Sequence, residues 1–260
     1  MGGQVRTEKD GRIGWIVFDH PERRNAISVE MWREIPEAVD KLSNDDDVRV
    51  VVMRGVGDTA FVSGADISQF ASQRTGDAVH SYDIDSGRAF GALANLAKPL
   101  IALIHGPCVG GGVAIALTAD LRYAADDAIL AIPAARLGLG YAMAGLEALT
   151  RLVGFSYAKE IFFTARRFSA HEALRMGLLN HVLPKAELES HVLETATRIA
   201  ENAPLTLASV KRIVHELARE PAARDLEAVD ASVRACFESE DYREGIRAFL
   251  EKRSPVFRGR

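Results

Sequence analysis

The sequence predicts an α/β protein with a helical C-terminal region, and three observations carry that prediction. Apolar strand-like runs at residues 12–19, 48–53 and 99–104 alternate with stripes of helical period. The third run ends at Gly106-Pro107 and passes through Gly110-Gly111-Gly112 into Val-Ala-Ile-Ala-Leu, which reads as strand, glycine turn and the start of a tightly packed helix. Beyond residue 200 the apolar residues follow helical spacing.

Taken in order, residues 5–9 and 12–19 read as a hairpin joined at Asp10-Gly11, its second strand ended by His20-Pro21. Ser28, a helix-capping side chain, precedes Val29, Met31, Trp32, Ile35, Ala38, Val39 and Leu42, an apolar stripe at helical spacing. Residues 48–53 form a buried strand stopped by Arg54-Gly55, and the order strand, helix, strand implies a right-handed crossover. In residues 61–70 Gly64 breaks the strand pattern, Ala65 is small at the bend, and Asp66 can cap a helix beginning at Ile67. A plain capped turn accounts for the same residues. Residues 76–97 carry another helical stripe, closed by Pro99, and shorter stripes at 158–163, 170–176 and 186–200 surround a strand at 180–183. Pro204 then opens a helix, and residues 222–237 and 241–250 continue the pattern.

The glycine turn is the first candidate for chemistry. The first amides of a helix lack intrahelical partners and its dipole adds positive potential, so such a turn can hold negative charge on an oxygen. It is not a phosphate loop, because no Gly-Lys-Ser/Thr follows. Nor is it a dinucleotide fingerprint, because Ile115 stands at the third glycine position and Asp120 comes too early. A turn serving only close packing stays open as the alternative.

Composition narrows the class. With 260 residues, 48% hydrophobic and 26% charged, the chain can bury a large core as one domain or one with an appended piece. Its net charge of −4 and scattered Lys and Arg, clustered only at Arg23-Arg24 and Arg166-Arg167, give no stripe for nucleic acid. Cys108 and Cys236 offer neither a disulfide framework nor a metal spacing, which fits a reducing cytoplasm. Residues 4–12 are polar, unlike a signal peptide, and no apolar run is long enough to cross a bilayer.

Two motifs in order, F-x-S-G-A-D-I at residues 61–67 and H-G-x-x-x-G-G-G at 105–112, resemble the crotonase family, also called the enoyl-CoA hydratase/isomerase superfamily. The resemblance covers almost the whole chain: residues 20–28 (HPERRNAIS), 164–173 (TARRFSAHEA), 177–184 (GLLNHVLP) and the closing 255–260 (PVFRGR) also fit. It implies a crotonase-like spiral of ββα units over residues 1–200, carrying an acyl-CoA pocket, and a helical oligomerisation region over 201–260 that makes a trimer, often paired into a hexamer. It also implies that the main-chain N–H groups of Ala65 and Gly111 face one thioester oxygen and stabilise an enolate. A bent CoA ester would then lie near Arg23, Arg24 and Ala26 and along Gly64, Ala65, Asp66 and Ile67, with Gly110, Ala114 and Ala134 completing the substrate site. Coenzyme A, as part of the substrate, is the only cofactor implied, and no metal is.

The same resemblance exposes a departure. Where the family's hydratases carry two glutamates that hold and activate water, this chain has Ala114 and Ala134, and the aspartate of some isomerases and dehalogenases is missing from residues 140–145, GYAMAG. A positioned acid or base contributes roughly 10² to 10⁴ in rate, so the two-glutamate mechanism cannot run unchanged. Tyr141, similar to a tyrosine in the family's methylmalonyl-CoA decarboxylases, is the first replacement candidate, better suited to donate a hydrogen bond than to act as a base, against the alternative of a packed or substrate-lining tyrosine. His80, Asp83 and Asp85 are further candidates against a solvated-surface reading. Glu147, on a helix at residues 145–154, is read as a contact with a neighbouring helix, Cys108 as an inert buried thiol, and Lys252, Arg253 and Arg258 as a solvated basic tail that could alternatively reach CoA phosphates.

Three functions follow. The first is an enoyl-CoA hydratase/isomerase-type enzyme with an acid/base other than glutamate. The second is a decarboxylase or other carbon-bond lyase, in which loss of carbon dioxide makes the enolate without a base. The third is an acyl-CoA-binding protein without chemistry.

Overall fold

Strands buried on both faces carry nearly unbroken apolar sequence, and here they build a sheet that the helices cover from two sides. The computed structural model describes residues 2–66 and 78–260. β1 (Gln4–Asp10) and β2 (Ile13–Asp19) form the expected hairpin, with its turn one residue later than Asp10-Gly11: Asp10 pairs with Ile13, and the left-handed residue is Gly11. α1 (Val29–Ser43) starts where the Ser28 hydroxyl accepts the Met31 N–H, and it returns the chain so that β3 (Val50–Gly55) pairs in parallel with β2. α2 (Ala78–Ala94) ends at Ala94 rather than at residue 97, because the residues leading into Pro99 are driven towards extended backbone. The expected helix start at Ile67 lies outside the described residues.

β4 (Leu100–Ile104) leads directly into β5 (Pro107–Val109), and the glycine turn opens α3 (Gly111–Leu117). The next unit repeats that order with β6 (Leu121–Ala125), β7 (Ile129–Ala131) and the short α4 (Ala134–Leu137). α5 (Met143–Thr164) takes in both the helix read at residues 145–154 and the stripe at 158–163, and it breaks at Gly154, whose backbone (φ 75°, ψ 167°) is not helical. β8 (Phe168–Ser169), α6 (Ala170–Arg175), β9 (His181–Leu183) and α7 (Lys185–Ala200) complete the strand-bearing region. α8 (Pro204–Leu217), α9 (Leu226–Glu238) and α10 (Glu240–Leu250) form the helical end.

The first sheet has the order β1-β2-β3-β4-β6-β9, antiparallel only between β1 and β2. The second, β5-β7-β8, is extended by single parallel bridges, Val62 to Cys108 and Ile27 to Ala65. Two units, β4-β5-α3 and β6-β7-α4, thus each give one strand to each layer and then a helix, in keeping with the ββα expectation. One face of the first sheet (Ile16, Phe18, Val51, Met53, Leu100, Ala102, Ile104) packs into the core with Trp32, Ile35 and Leu93. The other (Trp15, Val17, Val50, Val52, Ile101, Leu103) lies under Leu188, Val192 and Ala196 of α7.

α6 is pinned to the second sheet by a capping box. Ser169 Oγ accepts the Glu172 N–H at 3.3 Å, and the Glu172 carboxylate accepts the Ser169 N–H at 2.9 Å and an Arg166 N–H at 2.9 Å. These donors, the Ser169 backbone first, lower the Glu172 pKa from 4.5 to about 2. A depressed folded-state pKa means that the stabilisation is complete above the unfolded-state value and disappears as pH falls through the folded one. Glu172→Gln should therefore lower resistance to urea at pH 7, and its difference from the parent protein should shrink between pH 5 and pH 2.

Candidate active site

The two segments singled out by motif, 61–67 and 105–112, meet through the second sheet. Val109 N–H donates to Val62 O at 3.0 Å, and Gly110 N–H donates to Ala131 O at 2.8 Å, which draws the approach to Ala134 alongside the glycine turn. On the other side Ser63 is bound to residues 23–24: its N–H donates to Arg24 O at 3.2 Å and its hydroxyl to Arg23 O at 2.9 Å. Arg24 and Asn25 hold left-handed backbone, with φ of 51° and 58°. The strain is offset at Asn25, whose buried amide side chain accepts the His20 N–H and donates to Val56 O and Ala60 O. Residues Arg23, Arg24, Ala26, Gly64, Ala65, Asp66, Gly110, Gly111, Ala114 and Ala134 thus belong to adjoining turns and helix starts; Ile67 lies outside the described residues.

The direction of two amides follows from the partners of two carbonyls. A trans peptide points its C=O and its N–H to opposite sides. Gly64 O accepts the Ile27 N–H at 2.8 Å, so the Ala65 N–H of the same peptide points away from Ile27. Gly110 O accepts the Ala114 N–H at 3.1 Å along α3, so the Gly111 N–H points back out of the helix start. Among the described residues neither N–H donates to a protein acceptor. The two residues are neighbours: a β-carbon placed on Gly111 would stand 3.7 Å from Ala65 N. Glycine is required at 64 and 110, where φ is +121° and +52°. A pair of such donors can hold one oxygen that gains charge, without any proton transfer.

The other candidates separate. Ala134 is buried and Ala114 partly so, and each brings only a methyl group to the turns. Tyr141 precedes α5 and lays its ring edge-on against Phe162, 4.8 Å between centroids. Asp85 is paired with Arg33 at 2.7 Å, while His80 and Asp83 are exposed. Glu147 pairs with Arg151 on its own helix, and Arg253 is held by Glu244 and Glu251. Burial pushes the Cys108 thiol far above its ordinary pKa, so it stays protonated and inert. Trp32, read from sequence only as part of the α1 core stripe, reaches the glycine turn; nothing in its spacing separated it from Ile35 or Leu42.

A family model described as enoyl-CoA hydratase/isomerase matches residues 8–260. The chain belongs to the enoyl-CoA hydratase/isomerase family. A short-chain-enoyl-CoA hydratase from Clostridium acetobutylicum is 33% identical over 249 residues, 96% of this chain and 95% of that protein. A methylmalonyl-CoA decarboxylase from Escherichia coli is 34% identical over 251 residues, 95% of each. The crystal structure of an enoyl-CoA hydratase/carnithine racemase from Magnetospirillum magneticum superposes with a TM-score of 0.92 at 32% identity, covering 98% of this chain and 96% of that one. Relatives of both reaction types thus stand at nearly the same distance within the enoyl-CoA hydratase/isomerase family, and overall identity does not choose between them.

Two neighbouring glycines give a paired test. A β-carbon at Gly112 would lie 2.2 Å from Val62 O, whereas one at Gly111 has nothing nearer than 3.5 Å. Gly112→Ala should cost about 2 kcal/mol or more in thermal unfolding. Gly111→Ala should fold normally, yet lose at least about tenfold in turnover of a CoA thioester, because its methyl occupies the space in front of Ala65 N.

Proposed function

We propose that the chain is an acyl-CoA enzyme that stabilises the enolate of a CoA thioester between the N–H groups of Ala65 and Gly111. The observation that carries this reading is a pair of amides on neighbouring segments, each turned away from its own peptide's carbonyl partner and neither given to a protein acceptor among the described residues, with a β-carbon on Gly111 standing 3.7 Å from Ala65 N. Loss of one such donor costs about 3 kcal/mol in the transition state. Because the donors are main chain, the side chains there need only be small, as they are. The CoA moiety runs along Arg23, Arg24 and Ala26 and the 64–67 turn, with coenzyme A arriving as part of the substrate and no metal taking part.

Within that class the leading reading is a hydratase/isomerase-type reaction whose proton is handled by a group other than glutamate, with Tyr141 as the named donor. Ala114 and Ala134 favour a second reading. If the glutamates of the hydratases belong at these positions, a substrate that breaks its own carbon–carbon bond and releases carbon dioxide reaches the enolate with no base at all. The Escherichia coli methylmalonyl-CoA decarboxylase shows that a relative at 34% identity carries that name. The exposed apolar side chains of the helical end, among them Val214, Leu217, Phe237 and Phe249, support burial in a homotrimer or a dimer of trimers in the cytoplasm.

The test is a panel on one enzyme preparation. Absorbance loss with crotonyl-CoA reports hydration, and carbon dioxide release from malonyl-CoA and methylmalonyl-CoA reports the lyase. Turnover on either arm, lowered by Tyr141→Phe with CoA-ester affinity kept, supports both the class and the role of Tyr141. Binding of CoA esters without turnover across the panel would leave a carrier and contradict the enzyme.

A further inference from the structure

Both amides are held by one stretch of chain. Ile27 aims the Ala65 peptide through its backbone, accepting the Asp66 N–H at 2.9 Å as well as donating to Gly64 O. One helical turn into α1, Trp32 fills the space beside Gly111: a β-carbon on Gly111 would lie 3.5 Å from the indole Cζ2 and 3.8 Å from Cη2. Trp32 is only 1% exposed, so its ring has no free side into which it can swing.

The orientation of that ring is fixed from α2. The indole N–H donates to Tyr82 Oη at 2.9 Å, and the Tyr82 ring stands edge-on to it, 6.3 Å between centroids at 80°. Phe90 closes a second edge at 5.1 Å and 66°. Arg33, the next residue of α1, ties the same two helices from outside through Asp85. The indole is therefore a wedge between α1, α2 and the glycine turn. Its polar edge is satisfied by one buried hydroxyl, and a buried N–H that loses its only acceptor carries the full cost of its lost hydration.

We infer that Trp32, oriented by Tyr82, is a positioning residue that sets where the Gly111 N–H stands relative to the Ala65 N–H. This rests on the proposed reading of the two amides as a shared oxygen site. Trp32 does not touch the reacting atoms. It acts because a large rigid side chain gives the glycine turn a surface to rest on, and because a misplacement of about 1 Å at a catalytic group is enough to cost up to about a hundredfold in rate. The same stretch of α1 and its approach serves both donors, Ile27 for one and Trp32 for the other, so their separation is fixed locally.

The experiment uses acetyl-CoA labelled with carbon-13 at the thioester carbonyl, a saturated ester with no double bond to hydrate and no carboxylate to lose. The readouts are the infrared frequency of its bound carbonyl and its dissociation constant, measured on the parent protein, Trp32→Phe, Tyr82→Phe and Arg33→Ala. The parent should shift the carbonyl to lower frequency. Tyr82→Phe, which keeps every ring carbon, and Trp32→Phe should each lose much of that shift, and about tenfold in turnover of whichever of crotonyl-CoA, malonyl-CoA or methylmalonyl-CoA the parent consumes, while the dissociation constant for acetyl-CoA changes little. Arg33→Ala, which loosens the same helix pair without touching the indole, should keep the shift. A full parental shift in both Phe variants overturns the role of Trp32 even if their melting temperatures fall. No shift in the parent itself removes the two-amide reading, and the inference with it. Should Trp32→Phe fail to fold, Tyr82→Phe decides the matter.

Discussion

A trans peptide cannot commit its carbonyl in one direction without sending its N–H in the other, and the candidate site depends on that constraint twice. The Gly64 carbonyl is taken by Ile27 and the Gly110 carbonyl by Ala114, so each N–H is turned away from its own peptide's partner. Neither depends on a side-chain rotamer. The arrangement is as rigid as the sheet bridge on one side and the helix start on the other, and it costs no reorganisation when charge develops. Glycine at 64 and 110 supplies the positive φ that both bends need, and the absence of a side chain at 112 lets α3 press against the Val62 carbonyl.

What surrounds these amides narrows the chemistry. In the proposed reading the oxygen site supplies the stabilisation common to the family, and the residues in front of it decide how the enolate arises. Ala114 and Ala134 bring no titratable atom. In that reading a group such as Tyr141 handles the proton, or the substrate's own loss of carbon dioxide makes the enolate, which then takes its proton from such a group or from solvent. Neither route alters the role of the amides, which is why one scaffold carries relatives named as a hydratase and as a decarboxylase at nearly equal identity.

The α/β class and the longer elements were legible in the sequence because burial on both faces leaves unbroken apolar runs and α1 keeps a clean helical stripe. The motif pairing singled out Ala65 and Gly111, and in the structure a β-carbon placed on Gly111 would stand 3.7 Å from Ala65 N. The second sheet was not legible. β5, β7 and β8 are two or three residues long and take their hydrogen bonds from segments far away in sequence, so no local period announces them. α5 was read as two separate segments, 145–154 and 158–163, and the break at Gly154 does divide it. Trp32 was hidden for the opposite reason: a core residue that supports a site follows the same periodicity as one that supports only the core.

The measurement closest to the central claim is a crystal structure with a CoA thioester bound. The account predicts the thioester oxygen within about 2.7–3.1 Å of both Ala65 N and Gly111 N, with the acyl carbons facing Ala114 and Ala134. A thioester whose oxygen meets only one of these nitrogens, or neither, would contradict it.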